Sequence, residues 1–148
     1  MKAYRAFVVT LAVENVDTVF TLLSEEFISV LSEIQDHRSD EFRVINCRHE
    51  QGAALMADGY SRNTDGIGVC IVGRGPAVAQ TGTALKAASR NGSDVLYLVP
   101  ESRRNAAHDG KGFEQSQYLR TMMGSVESIR SPDNLVSSLA DVFRRIRA

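Results

Sequence analysis

The stretch from Arg48 to Arg62 (RHEQGAALMADGYSR) constrains the fold of this 148-residue chain more than any other. An apolar run, Phe42 to Asn46, precedes it and reads as a buried strand. The stretch itself reads as a helix crowded with small residues: Gly52, Ala53, Ala54, Ala57 and Gly59. With so little side chain in the way, such a helix can bring its backbone close to a neighbour. A carboxylate, Glu50, falls at the strand-to-helix junction. In an open parallel sheet that junction lies at the carboxyl edge, where α/β folds place their ligands. On spacing alone Glu50 has two readings. It is a carboxylate placed for chemistry, or a first-turn acid that favours the positive end of the helix dipole.

The rest of the chain alternates in the same way. Phe7, Val8, Leu11 and Ala12 at helical spacing predict a helix over Tyr4 to Glu14. Asp17 to Leu22 is β-branched and apolar, hence a strand. Ser24 then reads as an N-cap, with Glu25 and Glu26 in the first turn of a helix that buries Phe27, Val30, Leu31 and Ile34. Ile67 to Val72 is a third strand. The turn Gly73-Arg74-Gly75-Pro76 leads into a helix over Ala77 to Ser89. Val95 to Val99 is a fourth strand, stopped by Pro100. Glu101 to Gly112 reads as a long mobile loop, Phe113 to Met123 as a short helix and Val126 to Ile129 as a last strand. Ser131-Pro132-Asp133 caps a final helix to Arg147. Strands that alternate with helices predict an α/β domain of three layers, a mostly parallel sheet with helices on both faces. The whole chain, residues 1–148, reads as that single domain.

Composition limits the partners. A net charge of -1 gives no electrostatic footprint for nucleic acid or a membrane surface. Cys47 and Cys70 fall in core strands and read as reduced thiols of a cytoplasmic protein. No segment is long and apolar enough to span a bilayer. No His or Cys pair stands at zinc-ligand spacing, so no metal site is expected. His37 and His108 read as solvated. Arg103 and Arg104 form a basic pair, read as solvated loop residues, with contact to an anionic substrate as the alternative. The Gly73 to Pro76 turn could cradle a phosphate, although no Walker or GxGxxG pattern is present.

The Arg48–Arg62 stretch resembles, over nearly consecutive positions, the RHEQGA-x-x-MADGYAR signature of thiamine-diphosphate enzymes. More narrowly, it is similar to the pyrimidine-binding (PYR) domain of the acetolactate synthase, pyruvate oxidase and benzoylformate decarboxylase group. Asn15 to Phe20 resembles that family's GVDTVFG, and Ser131 onward its final PYR helix. The resemblance implies the thiamine-diphosphate-binding fold and assigns a role to Glu50. In the family this Glu hydrogen-bonds a ring nitrogen of the cofactor's aminopyrimidine and promotes the tautomer through which the cofactor is activated. Gly75 to Gln80 resembles the family's GPGATN, so Gly75, Pro76 and Gln80 become cofactor-binding candidates, with Ala77 in place of Gly and Gln80 in place of Asn. Leu23 stands at the Pro of a family GxPGE and becomes another. Phe113-Glu114-Gln115 resembles a family FQE, with Glu114 in place of the substrate-side Gln. His49 is implied to pack or hydrogen-bond.

The same resemblance implies an assembly. Family members bind the cofactor diphosphate and Mg²⁺ on another domain with a GDG…NN pattern, which nothing here matches; Gly110-Lys111-Gly112 lacks the oxygen ligands Mg²⁺ prefers. The expectation is therefore the pyrimidine-binding half of a 2-oxo acid decarboxylase or carboligase, inactive alone. A diphosphate-binding domain or subunit would complete it. A homodimer is implied as well, with contacts on the helices that begin near Glu50 and Ala77. The alternative is a non-catalytic interaction or regulatory protein that retains the fold. A free-standing nucleotide binder is a third reading.

Overall fold

A computed structural model of the chain describes residues 1–101 and 110–148. In order they form α1 (Ala3–Val13), β1 (Thr18–Thr21), a 3₁₀ turn Glu25–Phe27, α2 (Ile28–His37), β2 (Arg43–Asn46), α3 (Glu50–Asn63) and β3 (Gly68–Ile71). Then come α4 (Pro76–Gln80), α5 (Gly82–Asn91), β4 (Val95–Leu98), α6 (Gln115–Met123), a 3₁₀ turn Pro132–Asn134 and α7 (Leu135–Ile146). Among the described residues no helix is long and apolar enough to cross a membrane.

The four strands form one parallel sheet in the order β2-β1-β3-β4. Successive strand side chains point to opposite faces, and the core divides accordingly. Val19, Val69, Ile71 and Leu96 face α1, α2 and α7, where Val8, Leu11, Ile34, Leu139 and Phe143 close one cluster. Phe20, Cys70, Val72 and Val95 face α3, α5 and α6, where Ala53, Ala57, Leu85 and Leu119 close the other. The predicted three-layer α/β architecture is the one observed. The chain moves outward from β1 to β2, then returns past β1 to β3 and on to β4. A uniform crossover hand requires that reversal to change the face covered, and it does: α2 lies on one face, α3 and α5 on the other.

Two positions show how local sequence permits this packing. Asn15, after α1, has φ 60; it stands where the GVDTVFG motif has Gly, and Asn tolerates this left-handed conformation better than most residues. Gly68, at the start of β3, has no room for a Cβ, which would run into the Ala57 carbonyl of α3. The alanines of α3 are thus consumed inside the domain: Ala53, Ala54 and Ala57 are buried, whereas Leu55 and Met56 are exposed.

Several local expectations are corrected. Phe42 to Asn46 is not a fully buried strand. β2 is the sheet edge, so only one side of it is paired, and Val44 and Ile45 are half-buried. The helix expected over Ala77 to Ser89 is two helices with a break at Thr81, and the second runs to Asn91. Val126 to Ile129 forms no strand; Val126 packs on the α3-side cluster without joining the ladder. Ser24 occupies an N-cap position but its hydroxyl caps nothing, and the turn after it is 3₁₀ before α2 begins at Ile28. Ser131 does cap, accepting from the Asp133 N–H at 3.3 Å. Most of the segment read as a mobile loop, with Arg103, Arg104 and His108, lies outside the described residues.

Candidate functional site

The topology fixes where a cleft must open. β1 and β3 are neighbours, but the chain leaves their carboxyl ends in opposite directions, β1 towards α2 and β3 towards α4. Such a switch point leaves a crevice between the two departing loops. A cleft of about 440 Å³ lies there. Leu22 to Glu26 line it after β1, Gly73, Arg74, Pro76 and Ala77 after β3, Glu50 after β2, and Lys111 at its rim.

Glu50 is the first residue of α3. His49 is the N-cap, and its Nδ1 accepts the Gln51 N–H at 3.2 Å, so this histidine secures the start of the helix that carries Glu50. The Glu50 carboxylate is half-buried. It accepts no side-chain hydrogen bond among the described residues. Its position at the helix start satisfies the dipole reading as well, so the two roles are compatible. Leu22, Leu23, Pro76 and Ala77 give the same cleft a partly apolar lining.

Of the candidate residues, the structure brings together Leu23, Glu50 and Pro76. Leu23 is 60% exposed, an apolar side chain at the cleft mouth. Gly75 lies just beneath, buried, with φ 64 and no room for a Cβ against the Lys111 carbonyl. Gln80 is not part of the cleft; it is exposed at the far end of α4. Pro76 and Gln80 are the two ends of a five-residue helix, and only its first turn reaches the crevice.

The cleft also holds a charged group that spacing did not reveal. Arg74 Nε lies 3.2 Å from Glu26 Oε1, and Lys111 Nζ lies 3.5 Å from Glu25 and 3.6 Å from Glu26. Among the described residues these contacts offset the Glu26 charge without completing a well-directed hydrogen bond to either carboxylate oxygen. Burial is the largest influence on Glu26 and pushes its pKa up. Its own backbone N–H, the Ser24 hydroxyl, Lys111 and Arg74 together outweigh burial and hold the carboxyl below its ordinary value. Glu25 and Glu26 read as first-turn acids in sequence; only the fold brings Arg74 and Lys111 to them.

A second missed residue is Gln115, 7% exposed. Its Oε1 accepts the Gly75 N–H at 3.1 Å and its Nε2 donates to the Pro100 carbonyl at 2.7 Å. Tyr97 is the third. Its hydroxyl meets Thr81 Oγ1 at 2.7 Å, and Thr81 donates to the Val78 carbonyl at 2.7 Å, at the break between α4 and α5. Burial pushes the Tyr97 pKa far up, so it stays a neutral donor.

The remaining residues of the Arg48–Arg62 stretch hold the frame. Tyr60 donates to Asp17 Oδ1 at 2.7 Å, linking α3 to the residue before β1. That bond lowers the Asp17 pKa and raises that of Tyr60. Gly66 leaves the space that the Tyr60 ring fills. Asp58 is buried, accepts from the Ser93 hydroxyl ahead of β4, and has Arg62 at 3.7 Å. Cys47 and Cys70 are free thiols; Cys70 is buried and Cys47 only half so, and burial raises both pKa values. Among the described residues no three His, Cys, Asp or Glu side chains converge as a metal site.

A parallel three-layer domain with a carboxylate at its topological switch point defines a ligand-binding α/β domain. Residues 1–123 match the family model described as thiamine pyrophosphate enzyme, N-terminal TPP binding domain, and the chain belongs to that family. It is 30% identical to a sulfoacetaldehyde acetyltransferase of Rhodobacter capsulatus, over 99% of this chain and 25% of that protein. It is 33% identical to a probable 2-ketoarginine decarboxylase of Pseudomonas aeruginosa, over 97% of this chain and 26% of the relative. With the acetolactate synthase large subunit of Mycobacterium tuberculosis it shares 35% identity over 66% of this chain and 17% of the relative. The chain thus spans about a quarter or less of the curated relatives it matches.

Proposed function

We propose that this chain supplies the pyrimidine-side wall of a thiamine-diphosphate site in an enzyme acting on 2-oxo acids by decarboxylation or carboligation. The observation that carries the reading is the convergence of Glu50, Pro76 and Leu23 on one switch-point cleft. A half-buried carboxylate beside Leu22, Pro76 and Ala77 suits a flat heteroaromatic ring with a basic nitrogen. The Glu50 carboxylate would accept a hydrogen bond from that nitrogen in its protonated form and so favour protonation there. Pro76, Ala77 and Leu23 would bound the ring faces and exclude solvent, with Gly75 setting the turn. Gln80, exposed at the far end of α4, would stay outside the ring site. Bound thiamine diphosphate would supply the carbanion-stabilising chemistry that 2-oxo acids require. Its diphosphate and Mg²⁺ would be held by a partner domain or subunit.

One relative's name supports the substrate class, a probable 2-ketoarginine decarboxylase; the sulfoacetaldehyde acetyltransferase is named for an aldehyde and an acetyl transfer instead. A homodimer fits the same reading. Its contact face cannot be the alanines of α3, which are buried, and would be the outward Gly52, Leu55, Met56 and Gly59 instead. The second reading, a non-catalytic interaction protein, is favoured by the ion-paired Glu25, Glu26, Arg74 and Lys111 crowding the cleft.

The test is Glu50→Gln in the assembled enzyme, the chain combined with a diphosphate-binding partner. The substitution keeps shape and removes the charge that favours a protonated ring nitrogen. Turnover on a 2-oxo acid should fall roughly 100-fold or more, with the loss mainly in kcat. Folding should barely change, since Glu50 stands at a helix start, where losing its dipole contact costs no more than about 1 kcal/mol, and not in the packed core. Wild-type turnover in the Glu50→Gln assembly would refute the assignment.

A further inference from the structure

The helix that bears Pro76 is a small, separately held body. α4 has five residues and is bounded by Gly75, at φ 64, and by the break at Thr81. No side chain caps its start. Its place in the molecule therefore depends on tertiary ties. Tyr118 donates to the Ala79 carbonyl at 3.2 Å, and the Thr81–Tyr97 pair holds the far end. The tie nearest to the cleft is Gln115. It comes from α6, 40 residues along the chain from Gly75.

The chemistry of this contact is specific. The Gly75 N–H can only donate and the Pro100 carbonyl can only accept, so the Gln115 amide fits in one orientation, with both ends used. The side chain is almost fully buried, so water does not replace either bond if it is lost. It thereby fastens the turn after β3 to the residue that ends the β4 segment. The next residue after Gly75 is Pro76, which shares the cleft with Glu50.

We propose that Gln115 is the positioning residue of this cleft: by bridging the Gly75 N–H and the Pro100 carbonyl, it sets where Pro76 stands relative to Glu50. The functional part rests on the reading above, that a pyrimidine ring lies between Pro76 and Glu50. Gln115 touches no ring in this scheme and acts only through the turn.

The test uses the ¹⁵N-labelled chain and two variants, Gln115→Leu and Gln115→Glu. Protection of the Gly75 amide against hydrogen exchange reports the bridge. Shifts of the Glu50 and Ala77 amides on adding millimolar thiamine diphosphate with Mg²⁺ report the cleft. Gln115→Leu should lower Gly75 protection roughly 10-fold or more and abolish the ligand-induced shifts, while the Val19 amide in the sheet centre keeps its protection. Gln115→Glu should behave as wild type when its carboxyl is protonated, because that group donates to Pro100 and accepts from Gly75. As the carboxyl ionises it should lose the ligand shifts and part of the Gly75 protection, because the oxygen facing the Pro100 carbonyl no longer donates, is repelled by it, and draws the side chain out of the bridge. The wild type should show no such pH profile, and a merely space-filling Gln115 would not create one.

Unchanged Gly75 protection in Gln115→Leu would overturn the bridge. Lost protection with intact ligand shifts would overturn the positioning role. If Gln115→Leu does not fold, the pH series of Gln115→Glu decides: a flat profile overturns the proposal and a titration supports it. If the chain alone binds the ligand too weakly to shift the wild-type amides, Gly75 protection and its pH profile in Gln115→Glu decide: protection lost in both variants supports the bridge, and unchanged protection overturns it.

Discussion

Replacing Gly75 with Ala probes how firmly the cleft turn is held. Gly75 has φ 64 and ψ -116, a conformation that an L-residue adopts only under strain, at a cost of about 2 kcal/mol. A new Cβ would also lie inside the contact distance of the Lys111 carbonyl, a backbone atom that cannot rotate away. Relieving the clash means lifting residues 111–115 from the turn. That strains the 3.1 Å bond from the Gly75 N–H to Gln115 and the Lys111 contacts to Glu25 and Glu26. Leaving the buried N–H without its partner costs about 1–3 kcal/mol. The Lys111 contacts are exposed and add little. The sum is about 3–5 kcal/mol, a large share of the 5–15 kcal/mol by which a domain is typically stable. Gly92 provides the control. It also has a positive φ, 65, but a Cβ there meets nothing within 4 Å. Gly92→Ala should therefore cost only backbone strain, about 1 kcal/mol. Urea unfolding of the two variants and wild type measures both values. Equal costs at Gly75 and Gly92 would refute the claim that Lys111 is packed on the turn.

Other outcomes follow from the same geometry. Tyr60→Phe removes the bond to Asp17 and should destabilise by about 0.5–1 kcal/mol, at the low end for a bond to a charged group because Asp17 is exposed. Since that bond lowers the Asp17 pKa, its contribution is present above about pH 4 and is lost as pH falls below it; the variant's acid unfolding should be correspondingly less steep. The raised Tyr60 pKa means that this contribution is fully present below about pH 10 and is lost as pH rises above it through the raised value, checked by denaturant midpoints at alkaline pH. Titration calorimetry on the chain alone should give a thiamine-diphosphate dissociation constant no better than about millimolar, about -4 kcal/mol, because the diphosphate and Mg²⁺ contacts are assigned to a partner. Light scattering should show a dimer at micromolar concentration, and Met56→Glu, on the outward face of α3, should shift it towards monomer.

Much of the frame was legible in sequence because it depends on local preferences. The apolar runs predicted four strands near their observed places, and the helical spacing located α1, α2, α3 and α7. The start of α3 at Glu50 followed from the strand before it, and the small residues of α3 announced close packing. Gly68 against the Ala57 carbonyl shows why that packing is needed. The two strand misreadings share one cause. Val126 to Ile129 has strand-like composition, but a strand needs a partner edge, and partners are set by the whole sheet. β2 looked buried because an apolar run does not say whether a second strand will cover it.

For the site, sequence by itself determined the residues with chemical character, Glu50, Gly75 and Pro76, and through the resemblance the family to which they belong. It could not say which of them meet. That was decided by topology: the reversal of direction between β1 and β3 opens the crevice and brings Leu23, Pro76 and Glu50 to it from three separate connections. Gln80 is near Pro76 in sequence yet points away, because α4 has only one turn within reach. Gln115 lay in the FQE-like stretch, but its bridge from Gly75 to Pro100 had no local signal, nor had the pairing of Arg74 and Lys111 with Glu25 and Glu26. A side-chain hydrogen bond or ion pair between residues 40 or more positions apart carries no periodicity; it exists only once the chain has folded and both partners stand within about 3 Å.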